Sequence, residues 1–149
     1  MNELIEILHR EGCSLVLRDV QGNVRTFYKK GVRDLEDLLD HEPATLRGAA
    51  VADKVVGKAA AAMMAHGGVG EAYADVLSRK AVPMLEAGGV RYACGELVDA
   101  IVIPEGDTRC PLEEIVATAD TAEEAVGLLR EHFDEMQKKR NNELKSREG

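Results

Sequence analysis

Aromatic side chains are nearly missing from this chain: it has no tryptophan, two phenylalanines and three tyrosines in 149 residues. Single-stranded nucleic acid is held on stacked aromatic rings, so that class of partner has little to bind here. An excess of basic charge is missing as well. Nineteen Lys and Arg against 27 Asp and Glu leave a net charge of −8. That sign is wrong for a phosphate-backbone binder, although a local basic pocket for a small anion remains compatible with it. No apolar run approaches the ~20 residues of a membrane-crossing helix, and no secretory leader pattern is present. No nucleic-acid or membrane partner is therefore expected. The three cysteines, Cys13, Cys94 and Cys110, are odd in number and far apart. They fit neither a disulfide framework nor a paired zinc spacing. The expectation is free thiols in a reducing cytoplasm, with no metal and no cofactor.

What is present is an aliphatic, alanine-rich apolar set, part of a 45% hydrophobic fraction. That is enough for one core. Residues 1–137 read as a single domain and 138–149 as a charged tail, frayed or disordered. Residues 2–11 have the spacing of a short amphipathic helix, with Leu4, Ile5 and Leu8 inward and His9 on its surface. Ser14–Asp19 and Val24–Tyr28 read as a hairpin turning at Gln21-Gly22-Asn23. A basic loop follows, with Lys29, Lys30 and Arg33 around Gly31. Residues 33–40 form a helix burying Leu35, Leu38 and Leu39, and its acids, Asp34 among them, read as a solvated face.

Residues 48–78 organise the rest. Ala49–Ala52 reads as a short strand and Asp53 as a helix cap. Val55, Val56, Ala59, Ala60, Met63 and Met64 then make the buried stripe of a helix over 53–66. Gly67-Gly68 ends it, and Ala72–Leu77 is the next strand, completing a right-handed parallel βαβ unit. On the other face of that helix Lys54 and Lys58 lie one turn apart. Like charges at that spacing repel by roughly 0.2–0.5 kcal/mol, and the helix dipole disfavours cations at its start. An anion resting between the lysines and the free N–H groups, close to Gly57, removes both penalties. Two solvated lysines paired with surface acids are the plain alternative.

Ser78 reads as the cap of a helix over 79–88, with Pro83 near its first turn. Val90–Cys94 and Leu97–Ile103 read as a hairpin turning at Gly95-Glu96, and 104–107 as a loop. Cys110 opens a helix, CPLEE, where the dipole and Arg109 lower a thiol pKa. A reactive cysteine is one reading and a small buried hydrophobe the other. Thr121 and Glu124 have capping-box spacing for a last helix.

The strings GAAVADKVVGKAAAAMM, GGVGEAYADVLS and CPLEE resemble a small uncharacterised prokaryotic family, one of the domain-of-unknown-function families, placed in the cytidine deaminase-like fold. The resemblance implies a three-layer α/β/α sandwich on a mixed five-stranded sheet, and no established activity. In zinc deaminases a His or Cys at one helix start and two Cys at the next hold the metal, and a Glu two residues after the first ligand moves protons. Here the matching positions carry Asp53 to Lys58 and Ser78 to Ala81, with no such ligand, so zinc-dependent deamination is not expected.

What remains is a pocket at the carboxyl ends of two parallel strands, where open α/β sheets bind ligands. The expected occupant is a small phosphorylated or nucleotide-like molecule. Lys54, Gly57, Lys58 and Ser78 would bind it, Asp53 would act as an acid–base group, and Cys110 would be an outside candidate for a nucleophile. The rival expectation is a non-catalytic homo-oligomeric interaction module.

Overall fold

Aliphatic residues in short runs build a mixed five-stranded sheet. Its strands are β1 (Leu15–Arg18), β2 (Val24–Phe27), β3 (Ala50–Val56), β4 (Glu71–Ser78) and β5 (Arg91–Val98), in the spatial order β2-β1-β3-β4-β5. The structure, a computed structural model, describes residues 1–29, 32–101 and 110–148, with side chains left aside at 110, 111 and 144–148. β1 runs antiparallel to both its neighbours, pairing Leu15 with Phe27 on one side and with Asp53 on the other. β3, β4 and β5 are parallel, with Val56 opposite Leu77 and Ser78 opposite Val98. Their carboxyl ends therefore lie along one edge of the sheet.

Among the described residues seven helices complete the three layers: α1 (Asn2–Glu11), α2 (Arg33–His41), α3 (Pro43–Leu46), α4 (Lys58–Gly67), α5 (Val82–Ala87), α6 (Cys110–Val116) and α7 (Ala122–Glu148). Among the described residues α1 alone covers one face. It seats Leu4 and Leu8 on Val16, Ala50 and Ala52 and ends at Gly12, whose φ of 65° is the left-handed value glycine takes without strain. The other face carries α4 at its centre, packed by α2, α5, α6 and α7. α7 starts on a cap the spacing predicted. The Thr121 hydroxyl accepts the Glu124 N–H at 3.1 Å, while the Glu124 carboxylate reaches back to the Asp120 N–H at 3.3 Å. The charged end of the chain continues as the last turns of α7 through Glu148.

Four expectations need correction. The helix expected over 53–66 begins at Lys58; Asp53 and Lys54 belong to β3. The β-branched pair Val55-Val56 prolongs the strand, and the helix waits for the alanine run, where propensity is highest. Nor is α4 amphipathic, because Ala59 to Met64 are buried without interruption. A helix apolar all round is a core helix, and its alanines let α2, α3, α5, α6 and α7 approach. Ser78 caps no helix: its hydroxyl accepts the Lys80 N–H at 3.2 Å, and α5 starts only at Val82 without a side-chain cap. Finally, no hairpin turns at Gly95-Glu96. β5 runs unbroken from Arg91 to Val98, parallel to β4. Gly95 serves close approach instead, since a Cβ there would lie 2.9 Å from the Asp75 carbonyl oxygen. The outer part of that hairpin (102, 103), the loop at 104–107 and Arg109 lie outside the described residues, as do Lys30 and Gly31.

The acids of α2 are not all solvated. Asp34 is 6% exposed. It accepts the Lys29 N–H at 3.1 Å and the Ser14 hydroxyl at 3.4 Å, which fixes the end of the β1–β2 hairpin to α2. Burial, partly offset by these bonds, raises its pKa.

Candidate functional site

The first turn of any α-helix leaves N–H groups without intrahelical partners, and they attract negative charge. At the start of α4 the negative charge comes from the chain itself. Glu113, on α6, places Oε2 3.3 Å from the Lys58 N–H, and the Ala59 N–H also donates to this carboxylate. Gly57, the residue before the helix, makes the fit possible. A Cβ at Gly57 would stand 2.0 Å from Glu113 Oε1 and 3.0 Å from Ile101 Cδ1. Its φ of −100° is open to any residue, so glycine is needed here for space and not for backbone freedom.

Lys58 locks the same contact from the other side. Its Nζ donates to the Ala117 carbonyl at 3.0 Å, just past the end of α6. α6 is thus joined to the start of α4 at both of its ends. Glu113 is half-buried, and its pKa is raised. Burial is the leading cause; the N–H groups of Ala59 and Lys58 and the charges of Lys80 and Lys58 pull the other way without cancelling it. A carboxyl group held above its usual range, beside two lysines at the carboxyl ends of parallel strands, can exchange a proton and can give way to another anion.

The sequence-predicted residues divide. Gly57 and Lys58 are at the site. Ser78 is 2% exposed, at the carboxyl end of β4 one strand away. Its hydroxyl already serves the turn that carries Lys80. Cys110 is the first residue of α6, one turn before Glu113, so its backbone is brought to this edge; its side chain lies outside the described residues. Lys54 is not one turn from Lys58. It is an exposed β3 residue whose charge is felt by the Cys13 thiol on the α1 side, whereas Lys58 reaches α6 on the opposite side. Asp53 is half-buried in β3 and accepts the Val55 N–H at 3.4 Å.

Two participants escaped sequence reasoning. Glu113 stands 55 residues beyond Lys58, in a first turn where acids are expected for helix stability alone. The only sequence signal was that CPLEE is part of the resemblance. Lys80 gave no signal at all.

Three comparisons bear on identity. The family model described as a domain of unknown function, DUF1893, matches residues 3–133. Among curated proteins none matches the chain. A DUF1893 family protein from Thermotoga maritima, solved as a crystal structure, is similar over 88% of each chain with a TM-score of 0.76 and 23% identity. That identity speaks for the fold alone. The family match, however, takes in β1 to β5, the glycine gap of α4 and the glutamate that fills it, and on that span the chain belongs to the DUF1893 domain-of-unknown-function family.

Proposed function

We propose that this edge of the sheet binds a small phosphorylated or nucleotide-like molecule, with Glu113 as the internal stand-in for its anion. One observation carries the reading: a carboxylate seated on the Lys58 and Ala59 N–H groups, in a gap that only a glycine leaves open. Helix starts with exposed N–H groups are ready phosphate sites. A ligand phosphate takes the place of the carboxylate, with Lys58 and Lys80 supplying opposite charge. Release of Glu113 is easiest when it is protonated, which its raised pKa favours. Ser78 lies one strand from the site, and the freed Glu113 is then an acid–base group beside the ligand. On this reading the domain is a deaminase-like frame in which glycine and lysine stand where a zinc enzyme has ligands.

The test is calorimetry with a panel of nucleotides, nucleosides and ADP-ribose. At least one phosphorylated member should bind, Lys58→Ala should weaken it, and Glu113→Gln, which removes the competing charge, should tighten it. If no member binds either the native chain or the Glu113→Gln variant, the reading is wrong.

A second reading rests on β5. This edge strand is exposed along most of its length, with Tyr92 38% and Leu97 40% exposed. Parallel strands are normally covered on both faces, whereas α1 packs mainly on β1 and β3 and touches β4 through the His9 ring and the Asp75 carboxylate, 2.7 Å apart. A homo-oligomeric module would close this edge. Light scattering of the native chain against Tyr92→Lys plus Leu97→Lys separates the two readings: a monomeric native chain sinks this one.

A further inference from the structure

The opposite end of α4 opens into a cleft of about 310 Å³, lined by Arg47, His66 and Arg130 over Leu39, Pro43 and the Gly67-Gly68 turn. On a chain of net charge −8, three basic side chains here meet no acidic lining residue. Arg130 has one ion pair at the rim, 3.5 Å from Asp40. Arg47 and His66 have no hydrogen-bond or ion-pair partner among the described residues.

We propose that this cleft is a second anion site, separate from the Glu113 site, and that it takes a soluble phosphomonoester. The ordinary reason for cations at a helix C-terminus is the dipole and its free carbonyls. That reason is largely used up here. The Ala65 carbonyl accepts the Gly68 N–H at 3.2 Å and the Met64 carbonyl the Val69 N–H at 3.0 Å. Arg47 donates to neither. Its stem instead lies along Gly68, where Cγ is 3.6 Å from the position of the absent Cβ. Gly68 has a φ of 79°, so the turn both stops the helix and leaves the cleft open above it. Two guanidinium groups offer paired, planar donors that match phosphate oxygens. The volume is at the lower end of small-ligand sites, about 300–1,000 Å³, which favours a compact ester over a full nucleotide. Ten residues of α4, about 15 Å at the usual rise, separate this cleft from Glu113, so one small molecule does not fill both.

The experiment follows amide and His66 ring resonances of the full chain as inorganic phosphate is raised at constant ionic strength, with chloride as the matched control. Glycerol 3-phosphate and vesicles containing phosphatidic acid form two further arms. Saturable shifts at Arg47, His66, Gly67 and Gly68 are expected with phosphate and glycerol 3-phosphate and not with chloride. Arg47→Gln plus Arg130→Gln should weaken the apparent Kd at least tenfold, while Lys58→Ala leaves it unchanged. Shifts that chloride reproduces, shifts that survive the double substitution, or engagement of the vesicles alone would each overturn the proposal. Loss of the Glu113 site leaves this result untouched, and the reverse holds too.

Discussion

The two ends of α4 solve one electrostatic problem in opposite ways. At its start the helix meets a negative group that is part of the same chain, held in place by α6 and by a lysine that grips the end of that helix. At its finish it meets positive groups from the turn after α3, from α4 and from α7, two of which have no partner among the described residues. Both arrangements suit the dipole. The first is a closed contact that binds two elements together; the second leaves charge available. The comparison teaches that an anion site at a helix start can be satisfied from within, and that unspent charge then marks the other end.

The strongest way to break the comparison is at Gly57. Gly57→Ala places a methyl group 2.0 Å from Glu113 Oε1, so either the carboxylate or α6 must move. Overpacking of this kind costs about 1–3 kcal/mol, to be read as a lower urea midpoint. Glu113→Ala in the same chain removes the clash, so the double variant should lose much less than the sum of the two single losses. Additive losses would show that Gly57 and Glu113 do not depend on each other.

A subtler effect is expected with pH. The folded-state pKa of Glu113 is raised, so the folded chain holds this proton where the unfolded chain has lost it. Stability from this group is greatest at acid pH. It falls as pH rises through the window between the usual value, 4.5, and the higher folded one. Asp34 and Glu36 are shifted the same way by burial. Glu113→Gln should therefore flatten part of the slope of melting temperature against pH, not all of it. An unchanged slope would place the Glu113 carboxylate in water.

The smallest expected difference compares two cations. Lys58→Ala removes a bond to the Ala117 carbonyl and should cost ~0.5–1 kcal/mol. Arg47→Gln should stay within about 0.5 kcal/mol of the native chain, because the Arg47 guanidinium has no partner among the described residues. If the second loses as much as the first, the cleft is structural and the contrast between the two ends disappears.

Much of the frame was legible in the chain. The β1–β2 hairpin, the helix stop at Gly12 and the Thr121 cap each rest on neighbours within a few residues. Apolar spacing and turn chemistry report such neighbours directly. The errors lie at Val55-Val56 and at Gly95-Glu96, where local pattern allows two answers and the sheet chose. Val55 and Val56 fit a helix stripe as well as a strand, and pairing with Val76 and Leu77 on β4 made them strand. Gly95 reads as a turn, and contact with β4 kept it in line.

By itself the amino-acid sequence determined most of the element types and the aliphatic core, because these follow from residue chemistry over short range, while for Lys58 it left open a bound anion or a surface acid. Only the tertiary structure decided what that negative group is. A carboxylate 55 residues away in the chain reaches Gly57 because α6 packs against α4, and no periodicity records a contact between helices that distant. The same packing placed Lys54 on the far side of the sheet from Lys58 and gathered Arg47 from the turn after α3, His66 from α4 and Arg130 from α7 at one helix end.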